Sequence, residues 1–388
     1  MGPLHGLKVI ELAGIGPGPM AAMLLADMGA TVLRVDRTEP SGLGTPRPAK
    51  YDLLLRNRSS IPLDLKRPEA VALVLDLVAD SDVLIEGFRP GVAERLGLGP
   101  QECQARNPRL VYGRITGWGQ DGPLAQVPGH DINYIALTGA LHAIGRAGQP
   151  PTPPINLLGD FGGGTLYLVM GILAALLEAR GSGLGQVVDA AMVDGVASLM
   201  TQPQGSFAGG IMTNERGTNV TDSGAPFYDV YQCSDGRWVA LGAVETKFYQ
   251  QALGVLELPQ LLPEQWNRAH WPQAKARIAE RIATRTRDDW CRAFEGTESC
   301  FAPVLSLDEA PAHPHLRARG TYVEVDGITQ PAPAPRFSRT PPSPPQAFRP
   351  WNPEDARAIL GPWLHGPVAE SARRAGLIDA APDGPPGV

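Results

Sequence analysis

Short runs of β-branched and aliphatic residues alternate with helical spacing through the first 190 positions of this chain. The strand candidates lie at residues 8–12, 31–35, 82–86, 110–115 and 186–190. Between them, residues 19–28 and 68–79 repeat apolar positions at helical intervals, and Gly29 is placed to stop the first helix. Strand-helix-strand alternation predicts an α/β fold with a doubly wound parallel sheet, carried by residues 1–200.

The pattern changes after Met200. A segment rich in Gly, Asn and Thr (201–224) reads as a linker loop. Strand patterns at 228–233 and 237–243 flank Ser234-Asp235-Gly236, a hairpin signature. Helical patterns follow at 248–254 and 274–285, and Thr286 with Asp289 is spaced to cap a third. With a strand at 302–305 and an Asp326-Gly327 turn, residues 225–330 form a small α+β domain. Residues 331–350 hold eight prolines and no helical period, predicting a stiff strap. Two short helices at 353–360 and 367–375 then return the chain to the large domain within 351–388, and the last nine residues are expected to be disordered.

Composition narrows the function classes. The 388 residues are 43% apolar and 19% charged with a net charge of −6, which fits a folded protein and gives no global basic field for nucleic acid. The longest apolar run, 165–177, is too short to span a bilayer, so no membrane partner is expected. The N-terminus runs directly into a strand pattern, and the four cysteines form no CxxC pair or metal-like cluster. A cytoplasmic location with reduced thiols and no metal is expected.

Gly14-Ile15-Gly16-Pro17-Gly18-Pro19 between a strand and a helix imitates a dinucleotide fingerprint. Proline stands where the third glycine belongs, and Pro17 removes an N–H that would face a phosphate, so NAD is not expected. The basic residues Arg37, Arg47, Lys50, Arg56, Arg58, Lys66 and Arg67 lean as a cluster toward a phosphorylated ligand, and Arg89 is a further candidate.

Two proton-transfer groups stand out. His130 opens an apolar helix in Gly129-His130-Asp131-Ile132-Asn133-Tyr134. Asp160 precedes Gly162-Gly163-Gly164 and a second apolar helix predicted from Thr165. A carboxylate there feels a helix N-terminus, whose N–H groups can also stabilise an oxyanion, while the glycines admit a ligand to the backbone. Glu245, at a strand end, is a carboxylate able to fix a histidine tautomer, though it equally suits a helix cap.

These motifs, with Gly117-Trp118-Gly119-Gln120-Asp121-Gly122-Pro123, the stretch 185–195 and Gly224-Ala225-Pro226-Phe227-Tyr228, resemble the α-methylacyl-CoA racemase family within the family III CoA-transferase superfamily. The resemblance covers residues 3 to about 340. It implies a large α/β domain made from both chain ends, a small α+β domain and an interlocked homodimer. It places an acyl-CoA against Arg37, Pro62, Leu63, Asp64, Leu65, Arg89, Gly129, Asp131, Ile132, Asn133 and Tyr134. It assigns catalysis to His130, supported by Glu245, and to Asp160, the histidine serving the (S)-epimer and the aspartate the (R)-epimer. No cofactor is implied, since CoA belongs to the substrate. The alternative within the superfamily is a CoA-transferase using Asp160 as nucleophile. Typical transferases carry an aromatic residue where His130 stands. The acyl group is left open among methyl-branched, sterol and 2-arylpropionyl chains.

Overall fold

The structure, a computed structural model, describes residues 2–39 and 41–379; the expectation for the last nine residues lies outside these. The chain divides into two compact units. The first takes the residues up to Ile135, Ile155–Leu199 and those from Gly320 onward, and the second takes Ala136–Pro154 and Met200–Arg319.

The first unit is built on six strands: β1 (Lys8–Leu12), β2 (Thr31–Asp36), β3 (Ser59–Pro62), β4 (Val83–Glu86), β5 (Val111–Thr116) and β6 (Val187–Ala191). All neighbours are parallel in the order β3-β2-β1-β4-β5-β6. The central strands are buried on both faces, which is why they read as near-continuous apolar runs. Alternate residues feed two cores. Ile10, Leu33, Val35, Leu84 and Tyr112 face one side, against the helix Pro68–Val78 and the C-terminal helices Ala356–Leu360 and Pro367–Arg374. Val9, Val32, Val83, Ile85 and Val111 face the other, against the helices Pro17–Asp27 and Leu166–Ser182. Both ends of the chain therefore build one core. Trp363, 1% exposed, anchors the C-terminal part, its indole N–H donating to Ser81 Oγ at 2.8 Å.

β3 was not legible in the sequence: Ser59-Ser60-Ile61-Pro62 is short and ends in proline, yet it occupies the sheet edge, where proline is tolerated. The apolar helix is also longer than predicted. A π-helical turn, Leu157–Thr165, runs into Leu166–Ser182, giving a 26-residue helix whose most apolar 18-residue stretch has a mean hydropathy of 1.6, long and apolar enough to cross a membrane. Leu168 and Ile172 nevertheless pack into the core on the sheet, while Leu166, Met170 and Leu177 form an exposed stripe.

The proline-rich strap lies along the first unit. Asn57 and Gln346 exchange hydrogen bonds of 3.0 and 2.6 Å, and Phe337 packs against the second core. The hairpin 322–331 also groups with this unit, its Gln330 accepting from Arg56 at 3.0 Å.

The second unit holds an antiparallel sheet of β7 (Tyr228–Gln232), β8 (Trp238–Gly242) and β9 (Phe301–Val304), with the hairpin where the Asp-Gly turn predicted it. The helices Thr246–Leu256, Trp271–Ile282 and Arg287–Phe294 cover it around Phe227, Tyr249, Trp271 and Trp290. Thr286 and Asp289 form the expected capping box. The predicted linker loop is instead partly helical, at Thr201–Ala208. That helix buries none of its residues, so no apolar stripe announced it, and its Pro and Gly read as breakers.

Candidate active site

The C-terminal edge of the parallel sheet gathers most of the singled-out residues. Arg37 follows β2, and Pro62–Leu65 follow β3 beside it, with Asp36 opposite Pro62 in the ladder. Gly14–Gly18 follow β1, Arg89 follows β4, and the segment leading to His130 follows β5. From β3 to β5 these loops cross four inter-strand spacings, about 19 Å. The row passes the point between β1 and β4 where the strand order reverses, the usual ligand crevice of such sheets.

His130 is exposed and caps the helix Asp131–Leu137. Its carbonyl accepts from the Asn133 N–H at 2.8 Å, and its own N–H donates to Asn133 Oδ1 at 3.0 Å. This capping arrangement fixes the histidine backbone and leaves the imidazole outside the hydrogen-bonding of the helix. Asp131 turns inward: its carboxylate is buried, and Oδ2 accepts the N–H groups of Gly159 at 2.6 Å and Asp160 at 2.7 Å.

Asp160 therefore sits within the first turn of a helix starting at Leu157, not ahead of one starting at Thr165. A helix N-terminus favours its charge, but burial outweighs that and raises its pKa above the usual aspartate range. The amide of Asn156, donating at 3.2 Å, and the charge of His130 oppose the rise, while the charge of Asp131 adds to it. Gly16, with φ of 64°, closes over this carboxylate; a Cβ there would stand 3.3 Å from Asp160 Oδ2. Thr165 ties the same loop to the turn, its hydroxyl 2.9 Å from the Pro17 carbonyl and 3.1 Å from that of Asp160.

Two expectations for this region change. The glycine run does not open the backbone to a ligand. Gly163 and Gly164 are buried against the helix Met192–Leu199, and a Cβ on Gly163 would meet Val196 Cγ2 at 2.6 Å. The N–H groups of Gly159 and Asp160 are not available to an oxyanion, because Asp131 takes them.

Tyr134 is buried in a cage of Gly117, Gly129 and Trp118, the two rings meeting edge to face at 4.8 Å. Burial, reinforced by the charge of Asp160, pushes its hydroxyl up to about 12, and the Arg89 guanidinium works against the rise. Arg89 is thus near enough to act on this end of the site. Arg37, Asp64, Arg89, Ile132 and Asn133 are exposed, whereas Leu63 belongs to the core and Leu65 packs against it.

The basic cluster separates into structural and free groups. Arg56 is buried on Asp27 at 2.5 Å, and Arg58 is buried on Glu11, which also holds Arg34 at 2.5 Å. Lys50 lies 3.6 Å from Asp326, and Arg67 lies 3.6 Å from Glu69. The side chains of Arg37 and Arg47 have no hydrogen-bond or ionic partner among the described residues. Sequence proximity had merged these roles.

Glu245 belongs to the second unit. It stands at the N-cap of the helix Thr246–Leu256, yet its side chain makes no capping bond and is exposed, so the plain cap reading does not hold. The same unit contains an apolar cleft of about 1150 Å³ lined by Met200, Ile211, Met212, Leu241 and Phe301 among others. Among the described residues, no group of three or more His, Cys, Asp or Glu side chains is placed to hold a metal ion. Sequence reading missed Asn156 and Gly16 as neighbours of Asp160. Asn156, four residues before Asp160, carried a readable i,i+4 signal only if the helix was known to start early.

The family model of CoA-transferase family III matches residues 4–354. The α-methylacyl-CoA racemase of Mus musculus is 45% identical over 346 residues, covering 87% of each chain. That of Homo sapiens is 42% identical over 361 residues, covering 92% of each. The crystal structure of a CAIB/BAIF family protein from Brucella suis superposes with a TM-score of 0.80 at 27% identity, covering 93% of this chain and 99% of that one.

Proposed function

The chain belongs to CoA-transferase family III, and from that premise we propose that it is an α-methylacyl-CoA racemase, interconverting (R)- and (S)-2-methylacyl-CoA thioesters. The observation that carries this reading is the pairing of His130 with Asp160 at the end of a row of loops long enough for an extended CoA. A CoA-transferase needs the carboxylate alone, whereas epimerisation needs a second proton-transfer group.

The α-hydrogen of a thioester is weakly acidic, so its removal needs a positioned base and stabilisation of the enolate oxygen. One group abstracts the proton and the opposite group returns one to the other face. The His130 imidazole supplies one of these groups. The raised proton affinity of Asp160 suits it to return a proton as well as to take one. The backbone N–H groups of Asp131 and Ile132, at the start of the helix after His130, have no acceptor among the described residues and are assigned to the enolate oxygen. Arg37 and Arg89 are assigned to the CoA phosphates. Proton transfer is the whole of this chemistry, so it calls on no redox or metal group.

Glu245 is assigned to support His130. This rests on the resemblance to the racemases, in which the site is shared between subunits, and on a side chain free of other work. The exposed stripe Leu166, Met170 and Leu177 supports an interlocked homodimer.

The test is incubation of an (R)- or (S)-2-methylacyl-CoA in heavy water without an acceptor acid. Deuterium is expected at the α-carbon with loss of optical purity. Absence of exchange, with CoA transfer once a free acid is added, would overturn the assignment in favour of the transferase.

A further inference from the structure

The mechanism just proposed uses His130 and Asp160 but leaves unexplained the buried carboxylate between them. Asp131 follows His130 directly, is 5% exposed, and spends Oδ2 on two backbone N–H groups, those of Gly159 and of Asp160 itself. Its Oδ1 is buried with no hydrogen-bond partner among the described residues. The residue preceding Asp160 is shaped to receive this side chain. A Cβ on Gly159 would stand 2.6 Å from Asp131 Oδ2, 2.8 Å from its Cγ and 3.1 Å from its Cα. The turn carrying one proton-transfer group is thus fastened to the residue next to the other by two short, charge-assisted bonds.

We propose that Asp131 is a positioning residue for the racemase reaction, clamping the Asp160 turn to the His130 turn and holding a negative charge beside the Asp160 carboxyl. This rests on the racemase reading above and deepens it. Removal of the clamp frees the first turn of the π-helical segment, and a misplacement of about 1 Å in a reacting group costs on the order of 100-fold in rate.

The charge has a separate consequence. The groups acting on the Asp160 carboxyl are Asn156 and His130, which favour its ionised form, and Asp131, which opposes it along with burial. The facing loop brings only Gly16 and Pro17, and Asp194, on the packed helix Met192–Leu199, is exposed and acts on Asp189. Among the described residues, Asp131 is therefore the one acidic side chain raising the proton affinity of Asp160.

Two substitutions separate clamp from charge. Asp131→Asn keeps a carbonyl oxygen for the N–H groups and removes the charge. It is expected to retain the wild-type KM within about threefold while the acid limb of the rate profile, set by Asp160, moves to lower pH. Asp131→Ala removes both, and is expected to lower kcat about 100-fold with little change in KM. Gly159→Ala, which displaces the carboxylate, is expected to resemble Asp131→Ala. An activity-independent readout is the carbon-13 titration of the Asp160 carboxyl in the free protein, assigned by difference against Asp160→Asn; it should shift down in Asp131→Asn. Wild-type kcat with an unmoved Asp160 titration in Asp131→Asn and Asp131→Ala would overturn the proposal, as would a loss confined to KM. A wild-type enzyme that exchanges no α-hydrogen would overturn the racemase reading, while the Asp160 titration would still decide the action of Asp131. If Asp131→Ala does not fold, the titration and pH profile of Asp131→Asn decide alone.

Discussion

Gly163 and Gly195 meet backbone to backbone: a Cβ on Gly195 would lie deep inside the contact distance of the Gly163 carbonyl oxygen. The π-helical turn bearing Asp160 and the helix Met192–Leu199 approach this closely because neither has a side chain at the crossing. Gly195→Ala is expected to force them apart, with a cost of about 1–3 kcal/mol or more typical of overpacking. Urea unfolding should show the loss, and racemisation should fall with it because Asp160 moves. Unchanged stability and rate would refute the packing role.

His130→Ala and Asp160→Ala are each expected to abolish net epimerisation, at least about 100-fold. Each variant keeps one base, so each is expected to exchange the α-hydrogen of one epimer and not of the other. Proton NMR of the two pure thioesters in heavy water measures this. Full racemisation by either variant would end the two-base assignment.

The burial of Asp160 carries a stability consequence. Its folded carboxyl holds a proton more tightly than the unfolded one, so stability falls as pH rises from the ordinary aspartate range through the raised value. Asp160→Asn is therefore expected to melt at a higher temperature than the parent protein near neutral pH, with the difference vanishing in acid. Thermal melts across pH check the sign; a variant less stable at neutral pH contradicts it.

Glu245→Gln separates catalytic from structural work in the second unit. The side chain is exposed and makes no capping bond, so stability should change by no more than about 0.5 kcal/mol. As support for His130 it should lower kcat on the order of 100-fold. An unaltered rate would remove Glu245 from the site.

The sheet was legible because its strands are buried on both faces and carry dense apolar runs, as in Lys8–Leu12. β3 escaped because an edge strand needs no such run. At the site, His130 and Asp160 were visible as chemistry, but their surroundings were not. Asp131 reads as one more polar residue in a knot until folding places Gly159 and Asp160 against it. The dependence on long-range packing also explains the misreading of the arginines. Arg56 and Arg58 look like Arg47 in sequence, and only the positions of Asp27 and Glu11 distinguish them.

Truncation of Trp363 tests the reach of the C-terminal segment. Trp363→Ala should cost about 3–5 kcal/mol, since the ring is buried and its N–H is bound to Ser81. Denaturant unfolding followed by far-ultraviolet dichroism gives the value; a loss below about 1 kcal/mol would show that the C-terminal helices are dispensable.

That dependence sets an order of events on the ribosome. The parallel sheet is complete once Ala191 has been synthesised, but one of its faces stays only partly covered, by the helix Pro68–Val78, until residues 356–378 emerge. Most of the second unit, residues 200–319, is made in that interval. The first unit therefore finishes folding only once this segment has emerged, through contacts between residues some 280 positions apart such as Ser81 and Trp363. Such distant pairings fold slowly, and the waiting apolar face is the stage at which a nascent chain would need a chaperone.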